Sequence, residues 1–201
     1  GADAIKFQTF NTNELVSIKA KKMSHQAAAS SKHSQFEILK KLEIKKENHF
    51  KLIKYCKIKK IKFLSSAFDL ESLEFLKKLN LYAYKIPSSE LNNIPYLKKI
   101  AKFKKYLILS TGMAFMSEVK QAIKTLLNNG AKKNKIILMH CTSQYPADYK
   151  YLNLNVLRSF KKKFNLKLGY SDHSKGLIVP NTLASHKLQV FEKHFTLSKK
   201  M

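Results

Sequence analysis

Two histidines near the end of the chain follow consecutive predicted strands, where both could bind one metal ion. His173 lies in GYSDHS and His194 in FEKHF. Neighbouring strands run about 4.8 Å apart, and two imidazole ligands leave positions open for water and substrate, as a catalytic metal requires. Asp172 and Glu192 favour this interpretation, because metal-bound imidazoles usually have a carboxylate or carbonyl on the second ring nitrogen. A hydrogen-bonded structural pair is the alternative.

Lysines inside two apolar runs indicate an anion-binding site. Lys85 lies in YAYKIP and Lys6 in AIKFQTF, where an uncompensated ammonium group would be costly. The anion would be a substrate phosphate or carboxylate, or else the acid of a structural ion pair. Strand-end hydroxyl groups could complete a ring of oxyanion ligands, since the chain contains no P-loop or dinucleotide motif. These hydroxyl groups belong to Ser66, Ser88, Ser110 and Ser171.

The remaining histidines and cysteines carry little catalytic signal. His140 and Cys141 are adjacent in a predicted strand, so their side chains point to opposite faces and a nucleophilic Cys/His pair is disfavoured. The two cysteines are expected to be free thiols. Loops or helix surfaces are the expected places of His25, His33, His49 and His186.

The candidate residues fall at the ends of seven short apolar runs with strand character. The runs span 4–10, 61–68, 82–90, 106–113, 135–143, 166–174 and 188–196. Amphipathic segments with apolar residues three and four apart separate most of them, which predicts βα units and a parallel sheet. In a parallel β/α barrel the active site lies at the carboxyl ends of the strands. Since GADAIKF is typical of a helix leading into a strand, we expect a first strand and most of a first helix to be missing.

Local signals also mark helix ends and one long loop. Ser117 is the expected N-cap of a helix that the glycine of NNG at 128–130 terminates. Residues 11–35 are polar, lack periodicity and exceed an ordinary βα loop, which predicts an active-site loop or lid.

The net charge of +26 invites a nucleic-acid interpretation, but its distribution argues against one. Lysines occupy every predicted solvent face, Arg158 is the one arginine, and no aromatic stacking motif accompanies them. We therefore predict no nucleic-acid partner. No signal peptide or apolar stretch of membrane-spanning length occurs, so a single cytoplasmic folding unit without a membrane partner is expected.

Seven motifs together resemble the sialic acid synthase family, which condenses phosphoenolpyruvate with acetamido sugars to nine-carbon α-keto acids. They extend over essentially the whole chain: GADAIKFQTF, FLSSAFDLESLEFL, KIPSSELNNIPYLKKIA, ILSTGMA, HCTSQYP, GYSDHS and EKHFTL. Within the family, KKMSHQ, KLEI, FDLES and KIPSSE are most similar to bacterial legionaminic acid synthases, and true sialic acid synthases are near neighbours.

The resemblance implies a (β/α)8 TIM barrel in which His173 and His194 bind Mn²⁺ or Mg²⁺. It also implies that phosphoenolpyruvate is surrounded by Lys6, Ser66, Lys85, Ser88, Ser110, Ser143, Ser171 and His173, with Gln8, Glu90 and Tyr145 toward the sugar. Ser143 replaces the asparagine of many relatives, and its hydroxyl can still donate to a phosphate. A homodimer is implied for the full-length protein.

The chain departs from the family pattern in three places. The amino-terminal strand with its Glu and Asn-His motifs is missing, as are the glycine-proline-aspartate stretch and the carboxy-terminal antifreeze-like domain. ASHKLQVFEKHF also replaces a small, glycine-containing run. We therefore expect residues 1–201 to be a partial barrel domain or a degenerate copy. Alone, it is expected to be poorly soluble or oligomeric and nearly inactive.

The expected reaction transfers a three-carbon unit from phosphoenolpyruvate to an N-acetylated aminohexose. Glu90 is the candidate general acid or base, because a strand-end carboxylate near a phosphate can have a raised pKa. Three alternatives stay open: a metal-dependent or Schiff-base barrel aldolase or lyase, an inactive fragment, and a basic binding protein.

Overall fold

The structure is a computed structural model, and it describes residues 1–21 and 34–198. The chain divides into two compact units, Gly1–Lys85 and Ile86–Met201. Each unit alternates parallel strands with helices, which confirms the predicted α/β class. None of the helices in the described ranges is long and apolar enough to cross a membrane.

The first unit is a parallel sheet in the order β1, β2, β3, with its helices in the connections. Strand β1 pairs with β2 over six residues, and Ser66 of β2 lies in register with Lys85 of β3. Its elements are β1 Ala4–Thr9, α1 Thr12–Leu15, α2 Gln35–Leu42, α3 Lys46–Ile58, β2 Lys62–Ala67, α4 Leu70–Lys78 and β3 Ala83–Ile86, the last of which ends just inside the second unit.

The second unit contains four parallel strands in chain order, β4 to β7. Its helices and strands are α5 Ile94–Ala101, β4 Tyr106–Ser110, α6 Met116–Asn128, β5 Ile136–Cys141, α7 Val156–Phe164, β6 Lys167–Asp172, α8 Ile178–Leu183 and β7 Val190–Lys193. Single 3-10 turns occupy Ser88–Glu90, Lys133–Lys135, Tyr149–Tyr151 and Ala184–His186. Strand β5 is buried along its whole length, as its continuous apolar run predicts.

All seven predicted strands are present, but each is shorter than its apolar run. Strand β3 ends at Ile86, because Pro87 has no N–H for a sheet hydrogen bond and the chain enters the 3-10 turn Ser88–Glu90. The polar candidates are therefore divided between the strands and the segments that follow them. The strands contain Lys6, Gln8, Ser66, Lys85, Ser110 and Ser171, whereas the segments after them contain Ser88, Glu90, Ser143, His173 and His194.

Two predictions about local structure need correction. The N-cap of α6 is Phe115, not Ser117, because the Glu118 carboxylate accepts a 2.6 Å hydrogen bond from the Phe115 N–H. The glycine terminator is confirmed, since Gly130 has a φ of 105° just after the helix. Residues 11–21 and 34–35 contain α1 and the start of α2, whereas the remainder of the predicted loop lies outside the described residues.

The expectation that His49 lies on a helix surface is wrong. Its side chain is fully buried beneath α3, where Nε2 lies 2.8 Å from Thr9 Oγ1 and Nδ1 donates to the Lys45 carbonyl at 3.1 Å. Thr9 in turn contacts Ser65 Oγ at 2.7 Å. His49 is therefore part of a polar network that joins α3 to β1 and β2. Burial lowers its pKa, and the hydrogen bond to the Lys45 carbonyl opposes that effect.

We expect the free energy of unfolding to fall as the pH drops below about 6.5, the ordinary pKa of histidine. A lowered folded-state pKa means that the unfolded chain binds protons first, so stability is lost from the unfolded-state pKa down to the folded one. His49→Gln should flatten that slope by up to about 1.4 kcal/mol per pH unit. Urea unfolding between pH 5 and 8 measures it, and the exposed His186→Gln is the control. Equal slopes in both variants would contradict the prediction.

Candidate active site

In the first unit, three of the expected site residues form one row across adjacent strands. Gln8 of β1 is in register with Ser66 of β2, and Ser66 with Lys85 of β3. Side chains in register on parallel strands point to the same face, and Lys6, two residues before Gln8, shares it. The first unit thus brings together four residues that sequence reasoning selected.

The side chains of this row range from buried to exposed, so an anion could reach the row from solvent and contact its buried polar groups. Lys85 is 5% exposed and Ser66 1% exposed, whereas Lys6 is partly buried and Gln8 is exposed. The Ser66 hydroxyl has no hydrogen-bond partner among the described residues, which is unusual for a buried polar atom. The hydroxyl could donate a hydrogen bond to an oxygen of a ligand.

In the second unit, Ser88 and Ser143 converge on Gly112. Ser88 Oγ accepts a 2.9 Å hydrogen bond from the Gly112 N–H and lies 3.4 Å from Cys141 Sγ. A methyl group on Gly112 would overlap Ser143 Oγ and stand 3.0 Å from Ser88 Oγ. The missing side chain of Gly112 therefore creates a cradle of two hydroxyls and a thiol, and no sequence signal had selected Gly112.

Ser110 has the same unusual property as Ser66. It ends β4, is 3% exposed, and its hydroxyl has no partner among the described residues. Ser110 is in register with Met139 of β5, and Cys141 follows on the same face. Among the described residues, each unit thus contains a buried serine hydroxyl, near the end of a strand, that makes no hydrogen bond.

The two histidines are brought together as predicted. The ring centroids of His173 and His194 lie 5.4 Å apart, and the Tyr145 ring lies 4.3 Å from the first and 5.7 Å from the second. His173 Nδ1 must donate its 2.6 Å hydrogen bond to the Thr142 oxygen, because a carbonyl only accepts. In the neutral ring this leaves the Nε2 lone pair for a metal ion.

Glu192 belongs to this site, although it was considered only as a partner of His194. Cys141, Ser171 and Glu192 are in register across β5, β6 and β7. Glu192 Oε1 accepts a 2.9 Å hydrogen bond from Ser171 Oγ, which also lies 3.2 Å from His173 Nε2. The alternation of β7 was the available signal, since Glu192 and His194 are two residues apart.

Asp172, by contrast, is not a partner of His173. Its buried carboxylate accepts hydrogen bonds from the Ser174 N–H at 2.9 Å, the Ser174 hydroxyl at 2.6 Å and the Lys193 ammonium at 2.5 Å. Adjacent strand residues point to opposite faces, so Asp172 lies behind the row that contains Ser171. Its role is to fix the turn that carries His173.

The site offers a metal ion two nitrogen ligands and not the closed ligand set of a structural metal site. No group of three or more His, Cys, Asp or Glu side chains in residues 1–21 and 34–198 could enclose an ion. His173 and His194 supply two nitrogens, and Nδ1 of the first already has the carbonyl partner that metal-binding imidazoles need. Any ion held here would keep positions open for a substrate.

Glu90 lies in the 3-10 turn after β3 and is 8% exposed. Its carboxylate accepts a 2.7 Å hydrogen bond from Asn93 Nδ2 and a longer one, 3.4 Å, from Ser89 Oγ. These contacts hold a carboxylate in place at the end of KIPSSE, as general acid or base work requires. They do not bring it together with His173 or His194.

If the cradle is part of a phosphoenolpyruvate site, as the family resemblance implies, Gly112→Ala should weaken the binding of phosphoenolpyruvate about fivefold to tenfold, the usual cost of one lost hydrogen bond. The new methyl group would displace Ser143 Oγ from the cradle. Ser143→Ala should cost the same, and the double variant no more than either, because both changes remove one contact. Titration calorimetry measures the three affinities. Additive losses would show that Gly112 and Ser143 act separately.

Comparison with known proteins gives consistent matches over the chain. A model of the NeuB family matches residues 1–201. The N,N'-diacetyllegionaminic acid synthases of Campylobacter jejuni and Legionella pneumophila are 46% and 40% identical over the whole chain, which spans 60% and 57% of their lengths. A crystal structure of the sialic acid synthetase of Leptospira borgpetersenii superposes with a TM-score of 0.86 at 30% identity, over 99% of this chain and 64% of that one.

Proposed function

Because the chain belongs to the NeuB family, we propose that it forms the phosphoenolpyruvate-binding part of a nonulosonic acid synthase. The observation that carries the proposal is the pair of buried hydroxyls, Ser66 and Ser110, that have no partner among the described residues. Both stand at strand ends, and both are among the residues that the family resemblance implies around phosphoenolpyruvate. In each unit, an acceptor oxygen of an anion would satisfy the hydroxyl.

The anion would be held by two lysines and a set of hydroxyls. Lys85, buried at the end of β3, and Lys6 would neutralise the phosphate and the carboxylate. Ser143 would donate from the Gly112 cradle and Ser171 from the row that leads to Glu192. The serines of this set are Ser66, Ser88, Ser110, Ser143 and Ser171.

The acceptor would be an open-chain acetamido sugar, with Gln8, Glu90 and Tyr145 toward it. Burial, together with Cys141 and Glu192 nearby, raises the pKa of Tyr145, so its phenol stays neutral and can donate. N-acetylmannosamine and 2,4-diacetamido-2,4,6-trideoxymannose are the two candidates. The legionaminic acid synthases among the relatives favour the second.

The condensation forms one carbon–carbon bond and one carbon–oxygen bond, and it breaks the carbon–oxygen bond to the phosphate. C3 of phosphoenolpyruvate attacks the aldehyde carbon, water adds to C2, and the phosphate leaves with its bridging oxygen. Lys6, Lys85 and the serines would stabilise the charge of the tetrahedral species and the departing phosphate. Glu90 would transfer a proton beside the sugar. His173 and His194 would hold Mn²⁺ or Mg²⁺, whose chemistry when bound is polarisation of the aldehyde.

We further propose that the seven strands are part of a (β/α)8 barrel that the amino-terminal segments of longer relatives complete. The carboxy-terminal antifreeze-like domain that the family resemblance implies, a homodimeric assembly and a cytoplasmic location belong to the same proposal. We propose no nucleic-acid partner, since the expected ligands are small anions and sugars.

Phosphate release from phosphoenolpyruvate tests the function. The chain extended with the terminal segments of the Campylobacter jejuni relative, called here the extended enzyme, should release phosphate only when Mn²⁺ and an acetamido sugar are both present. The 201-residue chain alone should bind phosphoenolpyruvate and release little. Release from the extended enzyme without any sugar would contradict the proposal. Covalent trapping of pyruvate by borohydride would favour a Schiff-base aldolase instead.

A further inference from the structure

A cavity of about 550 Å³ lies within the second unit, beside the Gly112 cradle. It is bounded by three segments: the loop from β4 into α6, the residues that end and follow β5, and the first turns of α7. This volume is within the range of small-molecule pockets, about 300 to 1,000 Å³. Cys141 and Ser143 are common to the cavity and the cradle.

The cavity lining contains no charged side chain, although 26% of the residues in the chain are charged. Apolar groups form much of it, among them the buried Val119 and Phe160. The polar members are neutral, for example Thr142, Ser143 and Gln144. An anion would find no cation there, so the cavity differs in chemistry from the part of the proposed phosphoenolpyruvate site that contains the lysines, although both include Ser143.

His140 is one of the residues that line the cavity, and one of its two ring nitrogens is fixed by a hydrogen bond. The side chain is 8% exposed, and its Nε2 donates a 2.8 Å hydrogen bond to the Leu152 carbonyl. Nδ1 has no hydrogen-bond partner among the described residues. In the neutral ring it carries the lone pair and is an acceptor. Burial lowers the pKa of His140, against the effect of the Leu152 carbonyl, which keeps the ring neutral near pH 7.

We propose that this cavity binds an uncharged, largely apolar small molecule that donates one hydrogen bond to His140 Nδ1. The apolar lining takes up the body of the ligand, and the neutral acceptor selects a ligand with an N–H or O–H group. The lining has no charged side chain to pair with a phosphate or carboxylate, so ligands that carry these groups should bind more weakly. The inference does not depend on the proposed synthase reaction.

Indole is a suitable probe, because it is uncharged, mostly apolar and has one N–H donor. The chain contains no tryptophan, so indole fluorescence reports the ligand alone. We expect saturable binding with one indole per chain. Indole-3-acetate, which adds a carboxylate, should bind at least about tenfold more weakly. Ordinary adsorption to a chain of net charge +26 would favour the carboxylate instead.

Two variants locate the site. Ala114 lines the cavity, and Ala114→Phe should fill it and weaken indole binding at least about tenfold, whereas Ala184→Phe, at an exposed position, should leave it unchanged. His140→Phe keeps ring contacts with Phe160 and removes the acceptor, so indole should bind about threefold to tenfold more weakly.

Wild-type affinity in Ala114→Phe, tighter binding of the carboxylate than of indole, or failure of indole to saturate would each overturn the proposal. The Ala114 change keeps the test decisive if His140→Phe fails to fold. Lys85→Met should not affect indole binding, which separates this cavity from the anion site.

Discussion

Replacing either His173 or His194 with alanine is expected to abolish binding of Mn²⁺ and to lower the activity of the extended enzyme at least about a hundredfold. A hundredfold loss of activity is typical when a group that stabilises charge in the transition state is removed. The physical reason is geometric: the two rings lie 5.4 Å apart, and the Thr142 carbonyl fixes the orientation of the first. One remaining imidazole would be a single, weak ligand.

Titration calorimetry measures the affinity for Mn²⁺, and the rate of phosphate release measures the activity of the extended enzyme. His186→Ala is the matched control, because His186 is exposed in a 3-10 turn outside the site. It should bind Mn²⁺ like the unmodified chain. Wild-type affinity for Mn²⁺ in both His173→Ala and His194→Ala would remove the metal assignment.

Lys85→Met is expected to weaken phosphoenolpyruvate binding by roughly 1.5 to 3 kcal/mol, the range for hydrogen bonds to charged groups. Methionine keeps most of the apolar stem and removes the ammonium group. Lys85 is 5% exposed and in register with Ser66. A phosphate bound at this strand end would therefore lose a charge-assisted hydrogen bond that water cannot easily replace.

The exposed Lys120→Met is the control for charge alone, and its phosphoenolpyruvate affinity should equal that of the unmodified chain. Affinity and melting temperature are to be measured together. An unchanged affinity with a lowered melting temperature in Lys85→Met would mean that the lysine forms a structural ion pair.

The strands were predictable because buried parallel strands have continuous apolar runs, and β5 is the clearest case. Their ends were not, since Pro87 stops β3 within a run that otherwise has strand character. The cap of α6 was misplaced for a related reason. The Glu118 carboxylate accepts a hydrogen bond from the Phe115 N–H, so this helix begins without a Ser or Thr side chain at its N-cap.

The site was predictable where it depends on strand alternation and not where it depends on packing. His173 and His194 follow from strand ends, and the same alternation could have included Glu192 and excluded Asp172. Gly112 and His49 depend on contacts between distant segments: Ser88 and Ser143 close on the glycine, and α3 covers the histidine. Local sequence patterns do not predict contacts between segments that are distant along the chain.

The bond that breaks in phosphoenolpyruvate tests the central claim most directly. The substrate would carry ¹⁸O in the oxygen that bridges C2 and phosphorus, and the extended enzyme would receive Mn²⁺ and 2,4-diacetamido-2,4,6-trideoxymannose in unlabelled water. Condensation predicts that all the label leaves in the phosphate, with one nine-carbon keto acid formed per phosphate released. Label retained in the carbon product, or phosphate released without that keto acid, would contradict the synthase account.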